Sequence, residues 1–304
     1  MQKLKSYLGW KVDFTTPAGE PAYAAPDSVS WRVFKNPAAL AIGGVAAVLL
    51  EFADARIRSG VWDHSVFKTD PIGRSQRTGM AAMVGVYGPA SAARRVIQGV
   101  TNMHARVEGT TPDGTPYKAL DVELLDWVSA TASYGFLTAY DRFVKPLSYE
   151  EKCRFYEEGV DVARLYGVQK PLRKPEDFDA MLAQLEPGFE PHPINTEFLD
   201  IIKSGQAARN VPKALHRSLA NASVSILPVS VRKRLELGPE YGLSPMAAMA
   251  IRTMGRLADH TPIKASPPAD AAVRLDLPWN FAWKSEARKA RLLAARSTAS
   301  VAAE

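Results

Sequence analysis

The stretch PAALAIGGVAAVLLEF, residues 37–52, is the most apolar segment of this 304-residue chain. A helix that spans a membrane needs about 20 apolar residues. This stretch is shorter, is interrupted by Gly43 and Gly44, and is closed by Glu51. It therefore predicts a buried helix, within a helical segment 37–60, against which another helix packs closely at the two glycines. We predict no transmembrane span.

The rest of the chain continues the helical pattern, with apolar residues three and four positions apart. Alternating strand patterns are scarce, and only Pro112-Asp113-Gly114, between residues able to extend, favours a small hairpin near 107–118. The predicted fold class is all-α, mostly helical, with that single β-hairpin. The expected helices cover 71–87, 90–107, 121–144 and 148–167, and WDHSVFKTDPIG, residues 62–73, is expected to be a polar loop that leads into the helix at Pro71.

Start signals support three of these helices. Pro71 suits the first turn of the helix over 71–87. Asp121 is a candidate N-cap, and Ser148 with Glu151 has the spacing of a capping box.

One helical domain is predicted over 31–260, with a proline-rich segment, 168–195, inside it. Residues 1–30 are interpreted as an N-terminal extension. Residues 261–304 are interpreted as a C-terminal extension that carries a basic helix.

Composition excludes several classes of protein. The chain is 46% hydrophobic and 23% charged, as globular domains are. Its net charge of +6 comes from scattered basic residues, which argues against a nucleic-acid partner. The single cysteine, Cys153, excludes an intramolecular disulfide framework. Because the first residues also lack the apolar core of a signal peptide, the expected location is the cytoplasm.

The hexapeptide GRSQRT, residues 73–78, is the first candidate site. On a helix, Arg74, Arg77 and Thr78 stand at i, i+3 and i+4, so two guanidinium groups and a hydroxyl share one face. Such a cluster suits an anionic ligand, although a solvated basic patch has the same pattern. The small residues that follow, Ala81, Ala82 and Gly85, leave room for a flat ligand or another helix.

His104 is the second candidate. It continues the apolar face formed by Ala93, Val96, Ile97, Val100 and Met103. A lone histidine on such a face is commonly a core residue. The functional interpretation is a metal ligand that binds through a neutral imidazole nitrogen.

A weaker pattern involves His64. With His104 and a carboxylate such as Asp63 or Asp121 it would complete a non-haem iron site, but the spacing gives no support. The remaining histidines are interpreted as surface residues: His192, His216 and His260. Nucleotide-binding and serine-hydrolase motifs are missing from the sequence.

The order of several short motifs is more specific than any one of them. The chain resembles the DUF2236 family, which includes rubber oxygenase (latex clearing protein) and the MpaB-type oxygenases, over about residues 30–235. The motifs that carry the resemblance are EFADARIRSGVWDHSVF (51–67), DPIGRSQRT (70–78), VYG (86–88), HARVEG (104–109), YKALD (117–121), LLDWVSAT (124–131) and ILPVSVR (226–232).

The resemblance implies an all-helical fold and haem b, with the iron held by His104 in the HxxVxG motif. It matches Arg74 and Thr78 to the family's RxxxT pattern, and Arg77 to the basic residue before the threonine, a lysine in rubber oxygenase. Where many members have His-Pro, this chain has Asp54 and Ala55. The distal carboxylate of rubber oxygenase does not align, and the nearby candidates are Glu51, Asp54 and Asp63.

The resulting hypothesis is a haem-b-dependent oxygenase, or a peroxidase-like oxidoreductase, acting on a small apolar molecule with dioxygen or peroxide. His104 is the expected iron ligand. Arg74 and Thr78 are expected to organise the haem or its distal ligand, and Arg77 to contact a propionate or the distal side. The alternatives are a haem carrier or gas sensor without turnover, and a helical protein without a cofactor in which His104 belongs to the core.

Overall fold

The computed structural model describes residues 5–7, 10–65, 69–205 and 213–301. The described chain is all-α with two small hairpins, which confirms the predicted fold class. The helices are α1 (Val29–Phe34), α2 (Pro37–Phe52), α3 (Ala55–His64), α4 (Pro71–Tyr87), α5 (Ala90–His104), α6 (Val122–Phe143), α7 (Tyr149–Leu165), α8 (Pro175–Leu185), α9 (Pro193–Ser204), α10 (Lys213–Ser225), α11 (Val229–Arg234), α12 (Pro245–His260), α13 (Pro267–Arg274) and α14 (Glu286–Val301); the strands are β1 (Lys5–Tyr7), β2 (Trp10–Val12), β3 (Glu108–Thr110) and β4 (Pro116–Lys118).

Helices α2 and α6 form the most extensively packed pair of the fold. Gly43 and Gly135 meet at their crossing, and a Cβ atom added to Gly43 would lie only 2.6 Å from the carbonyl oxygen of Gly135. The two backbones can approach this closely because neither residue has a side chain. The predicted close contact at the glycines of the apolar stretch is therefore confirmed.

The apolar stretch ends earlier than predicted. The segment 37–60 is not one helix, because the chain turns by 111° between α2 and α3. Asp54 caps α3 by accepting a hydrogen bond of 2.8 Å from the Arg56 amide, and Arg58 donates 2.9 Å to the Phe52 carbonyl at the end of α2. Helix α3 runs on to His64, so the first three residues of the expected loop 62–73 are helical, and residues 66–68 of that loop lie outside the described residues.

Helices α4 and α5 form a second layer. Helix α4 starts with Pro71 in its first turn, as predicted, and packs against α1, α5 and α13. Helix α5 packs against α4 and α7 and ends at His104, three residues before the predicted end. Its buried face is formed by Ala92, Ala93, Val96, Ile97 and Val100, whereas Met103 is exposed, contrary to the predicted apolar face.

Two antiparallel hairpins flank the helices. The pair β3–β4 lies where a hairpin was predicted. The pair β1–β2 was not predicted, because its three-residue strands are too short for an alternating pattern. The capping box of Ser148 and Glu151 is confirmed at α7. Asp121 precedes α6 but does not cap it, because its side chain accepts from the Lys118 amide at 3.0 Å.

Buried polar contacts join the ends of the chain to the helices. Arg274 of α13 donates to the carbonyl oxygens of Phe14, Glu20 and Tyr87 at 2.6, 2.8 and 2.8 Å. In the described ranges no single helix has the length and apolarity of a bilayer span. Only α2 and α3 taken together reach them, across their sharp bend.

Candidate functional site

The site is built around Glu51 in the last turn of α2. Leu49, Leu50 and Phe52 beside it are fully buried, whereas Glu51 itself is half-buried. Burial raises the pKa of the Glu51 carboxyl to about 7, although the Arg74 guanidinium and a hydrogen bond with Thr131 act in the opposite direction. A carboxyl group with this pKa can both bind and release a proton near neutral pH.

Thr131 on α6 is the polar neighbour of that carboxyl. Its hydroxyl oxygen lies 3.4 Å from Glu51 Oε1 and 2.9 Å from the Val128 carbonyl oxygen. A threonine hydroxyl has a single proton to donate, and the shorter contact directs it to Val128. The 3.4 Å contact with Glu51 Oε1 is therefore the weaker of the two, and donation along it lowers the pKa of that carboxyl, against the effect of burial. Thr131 was not predicted as a site residue, although it is the last residue of the LLDWVSAT motif.

Arg74 and Thr78 lie one turn apart on α4, as their spacing predicted. The Arg74 guanidinium donates to the Thr78 hydroxyl, and that hydroxyl donates back to the Arg74 carbonyl at 3.1 Å. Arg74 is half-buried and Thr78 is exposed. Farther along α4, a Cβ atom added to Gly85 would lie 3.2 Å from Val162 of α7, so this small residue makes room for a helix.

Arg77 lies apart from this pair. Its guanidinium is 3.7 Å from Asp70, the residue that caps α4, and its side chain is 34% exposed. Such a partly exposed ion pair contributes little to stability.

His104 is the last residue of α5 and is half-buried. Burial lowers the pKa of its imidazole, and the positive charge of Arg74 lowers it further. Within the described ranges, no residue forms a hydrogen bond, ion pair or ring contact with this imidazole. The ring is therefore neutral at physiological pH, the form in which histidine binds metals.

Arg74 connects the two halves of the site. Its charge lowers the pKa of Glu51 on α2 and that of His104 on α5, so the three side chains are electrostatically coupled. Arg74 on α4 is thus within electrostatic range of a carboxyl on α2 whose pKa is about 7 and of an imidazole on α5. The same helices and α6 also carry half-buried apolar residues that pack against the core: Val48 on α2, Val128 on α6, and Ala81 and Ala82 on α4.

The other acidic candidates lie elsewhere. Asp54 caps α3 and is ion-paired with Arg56 at 2.7 Å. Asp63 and His64 are exposed, and the His64 ring packs edge-on against Tyr117. Among the described residues, no three His, Cys, Asp or Glu side chains are placed to hold a metal ion. The alternative non-haem iron site of His64, His104 and a carboxylate is therefore not formed.

Two of the three remaining histidines differ from their predicted surface position. His216 of α10 is buried beside Gly205, and His192 is half-buried and caps α9 by accepting from the Ile194 amide at 3.2 Å. His260, at the end of α12, is exposed as predicted.

Comparison with known proteins gave one match. Residues 31–260 match the model of the family described as "ER-bound oxygenase mpaB/B'/Rubber oxygenase, catalytic domain". A search of curated proteins and a search of solved structures gave no match.

Proposed function

Because the chain belongs to the family of rubber oxygenase and the mpaB oxygenases, we propose that it is a haem-b-dependent oxygenase with His104 as the iron ligand. The family implies a small organic substrate and oxygen as the other reactant. The observation that carries the proposal is the arrangement of His104, Arg74 and Glu51: a neutral, unpaired imidazole on one side and a titrating carboxyl on another, coupled by one guanidinium.

The protein offers a single nitrogen ligand, which fits a metal whose other ligands come from a cofactor. His104 offers one nitrogen, and within the described chain it has no companion His, Cys, Asp or Glu side chains to complete a protein-only site. Haem iron needs only an axial ligand from the protein, together with an apolar wall and cationic partners for the propionates. Arg74 and Thr78 would supply the polar contacts, and the half-buried apolar residues of α2, α4 and α6 would supply the wall.

Haem would supply the activation of dioxygen or peroxide, and the protein residues would control protons and polarity. The Glu51 carboxyl, with a pKa of about 7, would accept a proton from the substrate and return it at neutral pH. Arg74 would keep a positive charge beside both Glu51 and His104. Arg77 would contact a haem propionate at the outer edge of the site, because its ion-pair partner Asp70 lies at the exposed start of α4. The apolar wall favours an apolar substrate.

The test is an absorption spectrum of the purified protein with and without added haem. We expect a Soret band and a pyridine haemochrome for the wild type, and the loss of both in His104→Ala. His260→Ala is the matched control, because His260 is also the last residue of a helix but is exposed. It should retain haem. A wild type that stays colourless with haem, or a His104→Ala variant that binds haem normally, would refute the proposal.

Turnover separates an oxygenase from a carrier or a gas sensor. The haem-loaded wild type should consume oxygen or peroxide with an apolar test substrate such as an unsaturated hydrocarbon. Glu51→Gln should retain its haem but lose most of this activity, since an amide cannot accept the proton. Equal consumption by both proteins would remove Glu51 from the mechanism.

A further inference from the structure

A second cleft lies farther along α6 than the Glu51 site. It has a volume of about 460 Å³ and is walled by the second half of α6, the segment 225–232 and α12. Its α6 residues, Tyr134, Thr138 and Arg142, follow Thr131 by three, seven and eleven positions, so they continue the same face of the helix over a distance of up to about 16 Å. The segment 226–232 is the ILPVSVR motif, which the proposed oxygenase chemistry does not use.

Three arginines line this cleft: Arg142, Arg232 and Arg252. None of its lining residues is acidic, and none of the three arginines is ion-paired with a carboxylate of the described chain. Arg142 donates to the Ser225 carbonyl at 3.2 Å, and Arg252 donates to the Arg142 carbonyl at 3.4 Å. The cleft therefore carries a net positive charge that the protein itself leaves uncompensated at this place.

Arg232 is the least satisfied of the three. Its Nε atom is buried and has no hydrogen-bond partner, and its side chain makes no ion pair within the described ranges. Leaving a buried charged donor without a partner is costly. A guanidinium in this state is suited to an anion, which it binds through parallel N–H donors.

The remaining walls are mainly apolar. Leu227, Pro228 and Leu243 are joined there by Val229, whose side chain is 59% exposed at the rim. Tyr134 donates its hydroxyl proton to the Ile226 carbonyl at 2.8 Å, and burial raises its pKa to about 12, so the phenol is neutral. The acidic charge that acts on Tyr134 is that of Asp179, which does not line the cleft.

We propose that the Arg232 cleft binds an organic monocarboxylate with an apolar body. The carboxylate would pair with Arg232, with Arg142 and Arg252 beside it, and the hydrocarbon would lie against the apolar wall and leave past Val229. The volume is within the range of small-molecule sites. The apolar residues beside Arg232 suit an anion with a hydrocarbon body better than inorganic phosphate, which has none.

Octanoate is the probe, titrated calorimetrically into the full-length protein. Octan-1-ol has the same apolar body without charge, acetate has the charge without the body, and inorganic phosphate tests for a general anion site. We expect octanoate to bind with a stoichiometry of one and the other three to bind at least about tenfold more weakly. Binding of octan-1-ol as tight as that of octanoate, preference for phosphate, or no binding at all would overturn the proposal.

Variants locate the bound octanoate. Arg232→Met should weaken binding about tenfold or more, whereas Lys233→Met, which removes the same charge from the neighbouring exposed position, should leave it unchanged. Arg252→Met, at an exposed position, should also weaken binding and serves if Arg232→Met fails to fold. Binding that is unaffected by both arginine substitutions but lost in Arg74→Met would place octanoate in the Glu51 site and overturn the proposal. This test does not depend on haem.

Discussion

The Glu51 site has two walls, and they are held together in different ways. The α2–α6 wall is apolar and tightly packed, with backbone against backbone at Gly43 and Gly135. The α4–α5 wall carries the charges, and its Arg74, Thr78 and His104 are half-buried or exposed. Glu51, the group that titrates, lies on the tightly packed wall, whereas the charged group that shifts its pKa, Arg74, lies on the more open wall.

This division has a physical reason. A carboxyl has a strongly raised pKa only where surrounding atoms exclude water, and such a place requires close packing. A cofactor, in contrast, has to enter between side chains, which requires a less densely packed wall. The same contrast predicts that substitutions in the first wall act on stability and that substitutions in the second act mainly on electrostatics.

The largest effect is expected for Gly43→Ala. The new methyl group would lie 2.6 Å from the Gly135 carbonyl oxygen and 2.7 Å from the Phe136 Cα, and neither backbone atom can move away without shifting the helix. We expect a loss of about 3 kcal/mol or more in the free energy of unfolding, measured by urea denaturation.

Gly159→Ala on α7 is the control for helix propensity, because no atom lies within 4 Å of an added Cβ there. It should stabilise the protein by up to about 1 kcal/mol. If Gly43→Ala behaved like Gly159→Ala, the tight packing of the first wall would be disproved.

The second-largest effect on stability is expected for Glu51→Gln. The native pKa of about 7 exceeds the ordinary value of 4.5. Between these values the native state binds more protons than the unfolded state, so stability falls as pH rises to 7 and stays reduced above it. Glutamine removes this penalty, and we expect a gain of about 2 kcal/mol at pH 8 and almost none at pH 4.5.

Urea denaturation across this pH range measures the gain. Glu157→Gln is the control, because that carboxylate is about half exposed in a surface pair with Arg173. It should change stability by less than about 0.5 kcal/mol at either pH. A pH-independent effect of Glu51→Gln would mean that the carboxyl is not desolvated.

The smallest effect is expected for Arg74→Met, which tests the second wall. Loss of the guanidinium should raise the pKa of Glu51 above that of the wild type. The pH-dependent fall in stability would then extend to a higher pH. Arg77→Met is the matched control, since its guanidinium is paired with Asp70. Equal changes in both variants would mean that the two arginines act only through the overall charge.

Local sequence signals predicted the helical segments between residues 37 and 167 but not where α2 ends. Pro71, the capping box at Ser148 and the hairpin turn at Pro112-Asp113-Gly114 act over a few residues, so their patterns were sufficient. The break before α3 also had a local signal, because Asp54 is a good N-cap, but the continuous apolar pattern on both sides concealed it.

The site could be predicted from the sequence only in part, and for a different reason. The spacing of Arg74 and Thr78 is fixed by one helix and could be predicted, whereas the role of His104 was suggested by the motif resemblance and stays a prediction. Their coupling to Glu51 depends on how α2, α4 and α5 pack together, a tertiary relation that no local pattern encodes. The sequence alone left three equal candidates for the proposed acid, Glu51, Asp54 and Asp63, and of these only Glu51 has a raised pKa in the structure.

The contact between Gly43 and Gly135 also has a consequence for the evolution of substrate range. A helix crossing made of backbone atoms does not depend on which rotamers the neighbouring side chains adopt. Half-buried residues on the same helix, such as Gly44 and Val48, can therefore change in size while α2 and α6 keep their positions. The surface of α2 can vary through these residues without displacing Glu51 or Thr131, so the substrate preference of the proposed enzyme could change while the carboxyl keeps its position.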